Sequence, residues 1–540
     1  MKQIYFFTFL WLTTVGFAQE DAWVYFNNKP NAQYYFDNPL EMLSQRALDR
    51  RINQNIAIDI KDVPIHQPYV DQIDAISGIE VKAKSKWMNA VHVRGSLSDI
   101  NALTAIEFVD HIEFADRSLN VSGRNQASNR TSHFSSVNKT LDIQITFAYG
   151  TSANQAQMLN AHVLHQQEFT GAGKIIAVMD AGFPNVDAIQ PFQRLRDNNQ
   201  ILGGYNFVAQ SADFYTANSH GTMVLSTMGG YVENQLIGTA PDAKYYLFVT
   251  EDAAAENPVE ESYWVEAAEM ADSLGVDVIN TSLGYFGYDN PNYSYTYANM
   301  DGVTSFISRG TNVAFSRGMI CVSSAGNSGS GPNPYIAVPA DALHGLAVGA
   351  VKSDETYATF SSIGPSFDQR VKPDVMAQGQ NAIVSGVNGT IGAANGTSFS
   401  GPIMAGAIAS FWQAIPWATN QQVLDFVKQS ADRYSNPTAQ FGYGIPDFQS
   451  ALTIAQLSVM TNQSKRFMIY PNPASAYLKV SFPNNFGAAA LIIYNSLGQL
   501  VKAQNVGRDT LVDIEDLAKG VYSYTIKNQD MVQTGKLVKN

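Results

Sequence analysis

Ser398 is the residue whose surroundings most favour chemistry. It follows Gly396 and Thr397 and precedes a small-residue apolar segment, Ile403–Trp412, that predicts a buried helix. A hydroxyl at a helix N-terminus lies beside unpaired backbone N–H groups and the positive end of the helix dipole, which favour a developing anion. Pro402 is expected in the first turn, where its missing N–H costs little. Taken alone, Ser398 is equally well explained as the N-cap of a core helix.

An aspartate, a histidine and an asparagine stand at comparable points of the chain. Asp180 ends the apolar run 175–179, which predicts a buried parallel strand with a carboxylate at its C-terminal end. His220 begins a second small-residue segment, and Asn327 follows the apolar run 320–324. Open α/β sheets place their sites at the C-terminal ends of their strands. Singly, however, each residue has a structural explanation as a cap, a core histidine or a turn.

In this chain order, Asp180, His220, Asn327 and Ser398 resemble the motifs of the subtilisin-like serine proteases, or subtilases. The resemblance covers about residues 149–457 and implies an α/β fold, with a parallel sheet flanked by helices. It implies that Ser398 is the nucleophile, that His220 is its general base and acid, and that Asp180 orients the imidazole. Asn327 would donate its side-chain amide to the oxyanion, together with the backbone N–H of Ser398.

The resemblance also assigns two segments to substrate binding. The first would pair with an extended peptide, and the second would line the pocket for the side chain before the scissile bond. These segments are Ser282, Leu283 and Gly284, and Ser324, Ala325 and Gly326, respectively. Backbone pairing of this kind binds peptides with little regard to their sequence. Ordinary sheet structure is the alternative interpretation for both.

The sequence departs from the subtilase pattern at three places. Phe399-Ser400-Gly401 stand where Met-Ala-Ser is common, Ala181 follows the aspartate where Thr or Ser is usual, and Met223 replaces a second histidine. No catalytic group is lost. The departures therefore bear on specificity, above all near Phe399, rather than on activity.

Composition and charge narrow the class of protein. The chain has 540 residues, a hydrophobic fraction of 45% and a net charge of −13, which favour a soluble multidomain protein and argue against nucleic-acid binding. Residues 1–18 have the charged start, apolar core and small-residue exit of a secretory signal peptide. No later stretch is long and apolar enough to predict a transmembrane helix. Cys321 is the single cysteine, so we expect no internal disulfide.

Residues 19–116 predict a separate small α+β domain. Strand-like runs at Ala22–Phe26, 79–83, 88–94 and 107–114 alternate with segments of helical spacing at 39–51, 65–76 and 98–105. Ahead of a subtilase domain, this pattern resembles the inhibitory propeptides of the family. An accessory domain that stays attached is the alternative. Residues 117–148 are predicted to be an exposed linker that is rich in Ser and Asn, and we expect maturation to cut between Asp116 and Thr151.

The C-terminal region has a different pattern. After a peptidase domain over 149–457 and a short linker over 458–466, residues 467–540 contain short alternating strands separated by turns, which predict a small all-β sandwich. The start at Tyr470-Pro471-Asn472-Pro473 and the segment Gly520-Val521-Tyr522 resemble the C-terminal sorting domain of the type IX secretion system of Bacteroidetes. A carbohydrate- or protein-binding β-module is the alternative.

The sequence thus predicts a secreted or surface-located serine endopeptidase, exported through the periplasm as an autoinhibited precursor. Its expected partners are polypeptide substrates, its own propeptide and the type IX machinery. No cofactor and no metal ligands are assigned, although the resemblance to subtilases allows calcium. The alternatives are a catalytically silent surface-binding protein on the same fold and an esterase or transpeptidase that uses the same triad.

Overall fold

A computed structural model describes residues 19–120, 147–463, 467–482, 487–507, 510–528 and 532–540. The predicted signal peptide and most of the predicted linker at 117–148 lie outside the described residues. The chain divides into two compact units, residues 1–452 and 453–540.

An antiparallel sheet of four strands forms the N-terminal domain. Its strands are β1 (Gln19–Phe26), β2 (Ile79–Ser85), β3 (Ala90–Ser96) and β4 (Val109–Phe114), in the spatial order β2-β3-β1-β4. Its helices are α1 (Ala32–Asp37), α2 (Gln45–Asn53), α3 (Gln67–Asp74) and α4 (Leu97–Ala102). Alternate residues of β1 face two different cores, because Ala22, Val24 and Phe26 pack under α3 and α4 whereas Trp23 and Tyr25 face the neighbouring domain.

The stretch between β1 and α3, residues 27–66, is here called the arm. It contains α1, a 3₁₀ turn at Pro39–Glu41 and α2. Ser44 caps α2 by accepting a hydrogen bond from the Ala47 N–H at 3.2 Å. The sequence pattern predicted one helix from Pro39 to Arg51, and the structure corrects this to the 3₁₀ turn and the separate helix α2.

Seven parallel strands form the central sheet of the next domain. The strands between residues 175 and 394 are β5 (Ile175–Asp180), β6 (Ile201–Asn206), β7 (Tyr231–Val232), β8 (Leu236–Ile237), β9 (Lys244–Val249), β10 (Val278–Thr281), β11 (Ile320–Ser324), β12 (Leu346–Val351), β13 (Val375–Gln378), β14 (Ala382–Ser385) and β15 (Ile391–Ala394). The order in the central sheet is β13-β12-β11-β10-β5-β9-β6, while β7 pairs with β8 and β14 with β15. This is the parallel sheet with flanking helices that the sequence predicted.

Helices cover both faces of the central sheet. The helices between residues 153 and 463 are α5 (Ala153–Gln157), α6 (Ala161–Gln166), α7 (Gln193–Asp197), α8 (His220–Gly229), α9 (Val259–Leu274), α10 (Phe306–Ser316), α11 (Thr397–Ala414), α12 (Asn420–Gln429) and α13 (Phe448–Gln463). Ile175, Ala177 and Met179 of β5 share a core with α9 and α10. Helix α11 lies against β10, β11, β12 and α8.

The N-terminal sheet packs on α9 and α10 through a shared core. The Trp23 ring stacks on Phe306 with a centroid separation of 4.9 Å, and its indole N–H donates to the Ser262 hydroxyl at 2.8 Å. The buried Glu269 carboxylate of α9 accepts hydrogen bonds from the backbone N–H groups of Lys86 and Trp87, both at 2.9 Å. The two helices are therefore covered by the N-terminal domain rather than by solvent.

In the described part of 467–540, seven strands form two sheets, in agreement with the all-β prediction. They are β16 (Met468–Tyr470), β17 (Tyr477–Ser481), β18 (Ala488–Tyr494), β19 (Leu500–Gly507), β20 (Leu511–Asp513), β21 (Gly520–Lys527) and β22 (Val532–Lys539). The orders are β16-β17-β20 and β19-β18-β21-β22. Side chains from both sheets, including Leu478, Ile493 and Leu537, share one core.

Two boundaries differ from the sequence predictions. Helix α11 begins at Thr397 rather than near Ile403, which makes Pro402 its sixth residue and not a residue of the first turn. Helix α13 continues to Gln463 and so includes most of the segment 458–466 that was predicted as a linker. Among the described residues, none of the helices combines the length and the apolar character needed to cross a bilayer.

Candidate active site

Asp180 and His220 form a hydrogen-bonded pair at the carboxyl edge of the central sheet. Asp180 is the last residue of β5 and His220 is the first residue of α8. The distance between His220 Nδ1 and Asp180 Oδ1 is 2.8 Å. The Asp180 side chain is 1% exposed, whereas that of His220 is 30% exposed. The histidine therefore has one nitrogen held by a buried carboxylate and an edge accessible from the cleft.

Two glycines allow β5 and α8 to approach closely enough for this pair to form. A Cβ on Gly221 would lie 2.4 Å from the Gly182 carbonyl oxygen and 3.0 Å from Asp180 Cβ. A Cβ on Gly182, whose φ is +148°, would lie 2.3 Å from the Thr216 carbonyl oxygen. Side chains at these positions would push the helix from the strand end.

The electrostatics of the pair suit a general base. The Asp180 carboxylate raises the pKa of His220 above its ordinary value, against the opposing effect of burial. Asp180 Oδ1 also accepts from the Ala181 N–H at 2.8 Å. Its other oxygen, Oδ2, is buried and has no hydrogen-bond partner among the described residues, and Ala181 has no hydroxyl to offer it.

Ser398 is the second residue of α11 and lies at the helix N-terminus, as predicted. Its backbone carbonyl would normally accept from the N–H of the residue four positions later, which is Pro402 and has none. The Ser282 hydroxyl donates to this carbonyl instead, at 3.0 Å. The proline inside the helix thus leaves the carbonyl of Ser398, the predicted nucleophile, to a residue that was predicted to bind substrate.

Asn327 lies beside Ser398 with its amide group oriented by Thr397. Asn327 Oδ1 accepts from the Thr397 N–H at 2.9 Å and from the Thr397 hydroxyl at 3.0 Å. With its oxygen fixed in this way, the amide nitrogen turns toward Gly396. A Cβ on Gly396 would lie 3.7 Å from Asn327 Nδ2 and 3.6 Å from the Ser398 nitrogen. The two donors predicted for an oxyanion thus border one small space, which a glycine keeps open.

The register of the sheet brings the predicted substrate segments next to these groups. Thr281 pairs with Met179 on one side and with Ser323 on the other, so that Asp180, Ser282 and Ser324 stand side by side at the sheet edge. The Ser324 hydroxyl donates to the Thr397 carbonyl at 2.8 Å. Gly326 donates to the Thr397 hydroxyl at 3.2 Å, and Ala325 is buried.

The backbone of Leu283 and Gly284 is open to a partner. Neither residue has a backbone hydrogen bond among the described contacts, whereas the next residue, Tyr285, pairs with Val338 in an antiparallel bridge. Gly284 is exposed and Leu283 is partly buried. An extended peptide would find unpaired N–H and C=O groups here.

The structure does not join His220 to Ser398 directly. The rings of His220 and Phe399 lie 6.0 Å apart between centroids, but no hydrogen bond between His220 and the Ser398 hydroxyl is among the described contacts. Catalytic hydrogen bonds are often long without substrate and tighten in the reacting complex.

A group of carboxylates near the Asp180–His220 pair was not predicted from the sequence. Oxygens of Glu251, Glu256 and Glu260 lie within 4.8 Å of one another. Burial raises the pKa of Glu251, and the neighbouring charges of Glu256 and Asp180 add to this effect. Glu251 also lines a cavity of about 650 Å³ that borders Ala181 and Asn218. In the sequence, the only signal for these residues is that they occur close together around the start of α9. It is the fold that brings their carboxylates within reach of one another.

These carboxylates are the described residues best suited to a cation. Three side-chain oxygens are fewer than the six to eight ligands that Ca²⁺ takes. Glu260 in addition accepts from the backbone N–H groups of Asp252 and Asn257, at 2.7 and 3.0 Å. The group is therefore described as a carboxylate cluster and not as a calcium site.

Three family models match consecutive parts of the chain. Residues 21–133 match the peptidase S8 propeptide domain of Bacteroidota, residues 171–445 match the subtilase family, and residues 468–540 match a secretion system C-terminal sorting domain. These matches confirm the predicted propeptide and sorting domain. The matches to the sorting domain and to the subtilase family show that the chain is a secreted or cell-surface protein.

Curated relatives match the central part of the chain. Subtilisin NAT of Bacillus subtilis subsp. natto and subtilisin E of Bacillus subtilis (strain 168) are each 33% identical over 299 residues, which is 54% of this chain and 69% of theirs. Subtilisin of Bacillus pumilus is 32% identical over 54% of this chain and 96% of its own length. On its family model and its relatives together, the chain is a serine endopeptidase that belongs to the subtilase family.

Proposed function

We propose that the protein hydrolyses peptide bonds through an acyl-enzyme on Ser398. The observation that carries the proposal is the buried Asp180–His220 pair, 2.8 Å between Oδ1 and Nδ1, at the sheet edge where α11 presents Ser398. Neither an isolated helix N-cap nor a core histidine requires this combination. It is the arrangement in which a serine hydroxyl gains a base whose tautomer is fixed.

The chemistry follows from the positions of these groups. His220 Nε2 takes the proton of Ser398 Oγ while Oγ bonds to the substrate carbonyl carbon. The carbonyl oxygen becomes an anion, which accepts hydrogen bonds from Asn327 Nδ2 and the Ser398 N–H. The C–N bond then breaks as His220 protonates the leaving amine. Water, deprotonated by His220, finally hydrolyses the ester and restores Ser398.

Substrate binding is proposed to use the open backbone beside the catalytic groups. An extended peptide adds to Ser282, Leu283 and Gly284 as a short strand. The side chain that precedes the scissile bond enters between this segment and the wall formed by Ser324, Ala325 and Gly326. Because both walls carry small side chains near the sheet edge, the pocket accepts a sizeable side chain.

We further propose the domain roles and the route of export. Residues 1–18 direct secretion, residues 19–116 are the propeptide that blocks the enzyme, residues 117–148 are cut during maturation, and residues 467–540 pass the chain to a type IX secretion system. The peptidase part spans 149–457. The packing of the N-terminal sheet on α9 and α10 supports this assignment, because it attaches a domain with its own core to the peptidase part.

Labelling with a fluorophosphonate probe, mapped by peptide mass spectrometry, tests the mechanism. Label is expected on Ser398 of the secreted protein and not of the precursor, and a Ser398→Ala variant is expected to take up none. Absence of label from both forms would favour the silent binding protein. Product analysis on matched ester and peptide substrates separates a peptidase from an esterase or a transpeptidase.

A further inference from the structure

The arm, residues 27–66, docks at the end of the central sheet opposite the catalytic residues. Asp180 is at the C-terminal end of β5, whereas the arm contacts Gly173, Asp277 and Gly318, which precede β5, β10 and β11. Strands of four to six residues at about 3.3 Å per residue separate the two ends by roughly 13–20 Å. The contacts of the arm therefore lie outside the cleft.

Arginines of the arm bind the C-terminal end of α9. Arg46 Nε donates to the Gly275 carbonyl at 2.9 Å, and the Arg50 guanidinium donates to the carbonyls of Val276 and Asp272. The last carbonyls of a helix have no partner within the helix and carry the negative end of its dipole. Helix α9 has 16 residues. The arginines place positive charge at the negative end of its dipole and donate hydrogen bonds to carbonyls at and just after that end.

A buried and electrically neutral set of charges joins the arm to the catalytic domain. The arm supplies two arginines opposite one aspartate, and two aspartates opposite one arginine. Arg50 and Arg51 pair with Asp272, and Arg317 pairs with Asp59 at 2.7 Å and Asp62 at 3.2 Å. All of these side chains except Asp59 are at most 6% exposed. Asp272 finds its side-chain partners only on the arm among the described residues.

Two glycines shape the catalytic side of this contact. A Cβ on Gly275, whose φ is +84°, would lie 2.8 Å from Arg46 Cγ. A Cβ on Gly318, whose φ is +91°, would lie 2.8 Å from Gln54 Nε2, which donates to the Gly318 carbonyl. Gln54 Oε1 also accepts from the Asn420 N–H at 2.9 Å. The contact is thus close in shape as well as matched in charge.

We propose that this end of the sheet is a second docking surface for the propeptide, which holds the arm independently of the cleft. The surface, here called the base surface, consists of Asp272, Gly275, Val276, Asp277, Arg317 and Gly318. A cut in the linker leaves every contact of the base surface intact, so the separated propeptide stays bound. Activation then needs a further event that frees the arm. This inference rests on the proposed role of residues 19–116 as a propeptide.

The test uses the full chain with Ser398→Ala and a recognition sequence for a site-specific protease placed within residues 121–146. After the cut, size-exclusion chromatography over a dilution series measures the dissociation constant of the propeptide. We expect the cut propeptide with an unmodified arm to co-elute with the remainder of the chain. The Ser398→Ala chain lacks the proposed nucleophile, so the binding measurement does not depend on protease activity. Loss of the propeptide in this test would not contradict the protease proposal, and an inactive protease would not invalidate the binding measurement.

Arg50→Ala and Asp272→Asn probe the contact from its two sides. Asp272→Asn leaves the buried Arg50 guanidinium without a carboxylate, so it is expected to weaken binding by about 100-fold or more. Arg50→Ala removes the hydrogen bonds to Asp272 and to the Val276 carbonyl, but Arg51 still pairs with Asp272, so a smaller loss of about 10-fold or more is expected. Lys82→Ala is the control, since the ion pair of Lys82 is with the exposed Glu80 of the same strand, and a change below threefold is expected. Circular dichroism of each uncut chain checks that it folds.

Two outcomes would overturn the proposal. Immediate loss of the propeptide from the unmodified chain would show that the arm does not hold it. A change below threefold in both Arg50→Ala and Asp272→Asn would show that the base surface contributes nothing to binding. The double variant is expected to show strong coupling between the two residues, because Arg50 and Asp272 form one buried ion pair.

Discussion

At the scale of single residues, the Asp180–His220 pair sets the pH range in which His220, the proposed general base, can act. Asp180 raises the pKa of His220, and a general base must be unprotonated to accept the proton of Ser398. Activity therefore rises as the pH rises through the pKa of His220, which lies above its ordinary value. Removing the charge of Asp180 moves this rise to lower pH.

We predict that Asp180→Asn lowers kcat about 10⁴-fold and shifts the acidic limb of kcat/KM to lower pH. The loss arises because an asparagine favours the wrong tautomer of the histidine, and the shift arises because the imidazolium loses its counter-charge. Asp187→Asn, a change at an exposed aspartate a few residues along the chain, is the control and should alter neither quantity. An unshifted acidic limb in Asp180→Asn would contradict the assignment of the base.

Asn327→Leu is predicted to lower kcat by about 10²–10³-fold with little change in KM, because it removes one donor to the oxyanion. This magnitude is the one known for the corresponding amide of a subtilisin, so it carries over from a relative. Steady-state kinetics on a peptide substrate measure both constants. Thr397→Val, which removes the hydroxyl that orients Asn327, should give a smaller loss in kcat. Equal losses in kcat and in substrate affinity would argue for a general distortion.

At the scale of elements, α11 shows how a helix breaker becomes part of a site. Pro402 leaves the Ser398 carbonyl without its intrahelical partner, and the Ser282 hydroxyl takes that place at 3.0 Å. The helix therefore depends on the segment after β10 for one of its backbone hydrogen bonds. That dependence ties Ser398, the proposed nucleophile, to the segment proposed to bind substrate.

Ser282→Ala is predicted to lower the free energy of unfolding by about 1 kcal/mol, the usual cost of a lost hydrogen bond to a buried group. In a Pro402→Ala background the loss should be smaller, since residue 402 then has an N–H for the Ser398 carbonyl. Urea unfolding of the Ser398→Ala chain and its variants gives the double-mutant cycle. The same cost in both backgrounds would mean that Pro402 and Ser282 are not coupled.

The elements also show what the sequence could and could not predict. Apolar runs that end in Asp180 and before Asn327 indicate buried strands and their polar ends, because burial and chain direction are local properties. The position of Pro402 within α11 was predicted wrongly, since the first residue of a helix depends on the close packing around Gly396 and Thr397. The cluster of Glu251, Glu256 and Glu260 was missed because residues of that spacing are usually solvated.

At the scale of the whole molecule, the N-terminal domain binds the catalytic domain at two places. The sheet of strands β1 to β4 covers α9 and α10, and the arm covers the base surface. The sequence predicted the domain itself from its strand and helix pattern. The role of the arm could not be predicted, because Arg50, Arg51 and Asp272 are ordinary surface residues until the two domains meet.

The contact of the N-terminal sheet with α9 is predicted to weaken as the pH rises from about 5 to 8. Burial against the sheet, with the charge of Glu269 beside it, raises the pKa of Glu266 to about 7, and burial also raises the pKa of Glu269. Without the propeptide these side chains face solvent and have ordinary pKa values near 4.5. The bound state therefore holds protons more tightly, so its stabilisation is full below about pH 4.5 and declines as the pH rises through about 7.

The cut Ser398→Ala chain provides the measurement, as the dissociation constant of its propeptide at about pH 5, 6, 7 and 8, a range that spans the titration of Glu266. Affinity should fall steadily across this range. Glu266→Gln removes the titrating carboxyl and should flatten the profile, whereas Glu41→Gln, a change on the exposed side of the arm, should leave its slope unchanged. Despite partial burial, Asp59 has a lowered pKa because it accepts from Arg317 and the Lys61 N–H, so it titrates below this range and adds no slope. An affinity independent of pH would exclude the contact with α9 as a pH-responsive one. Release of the propeptide would then depend only on dissociation of the arm from the base surface.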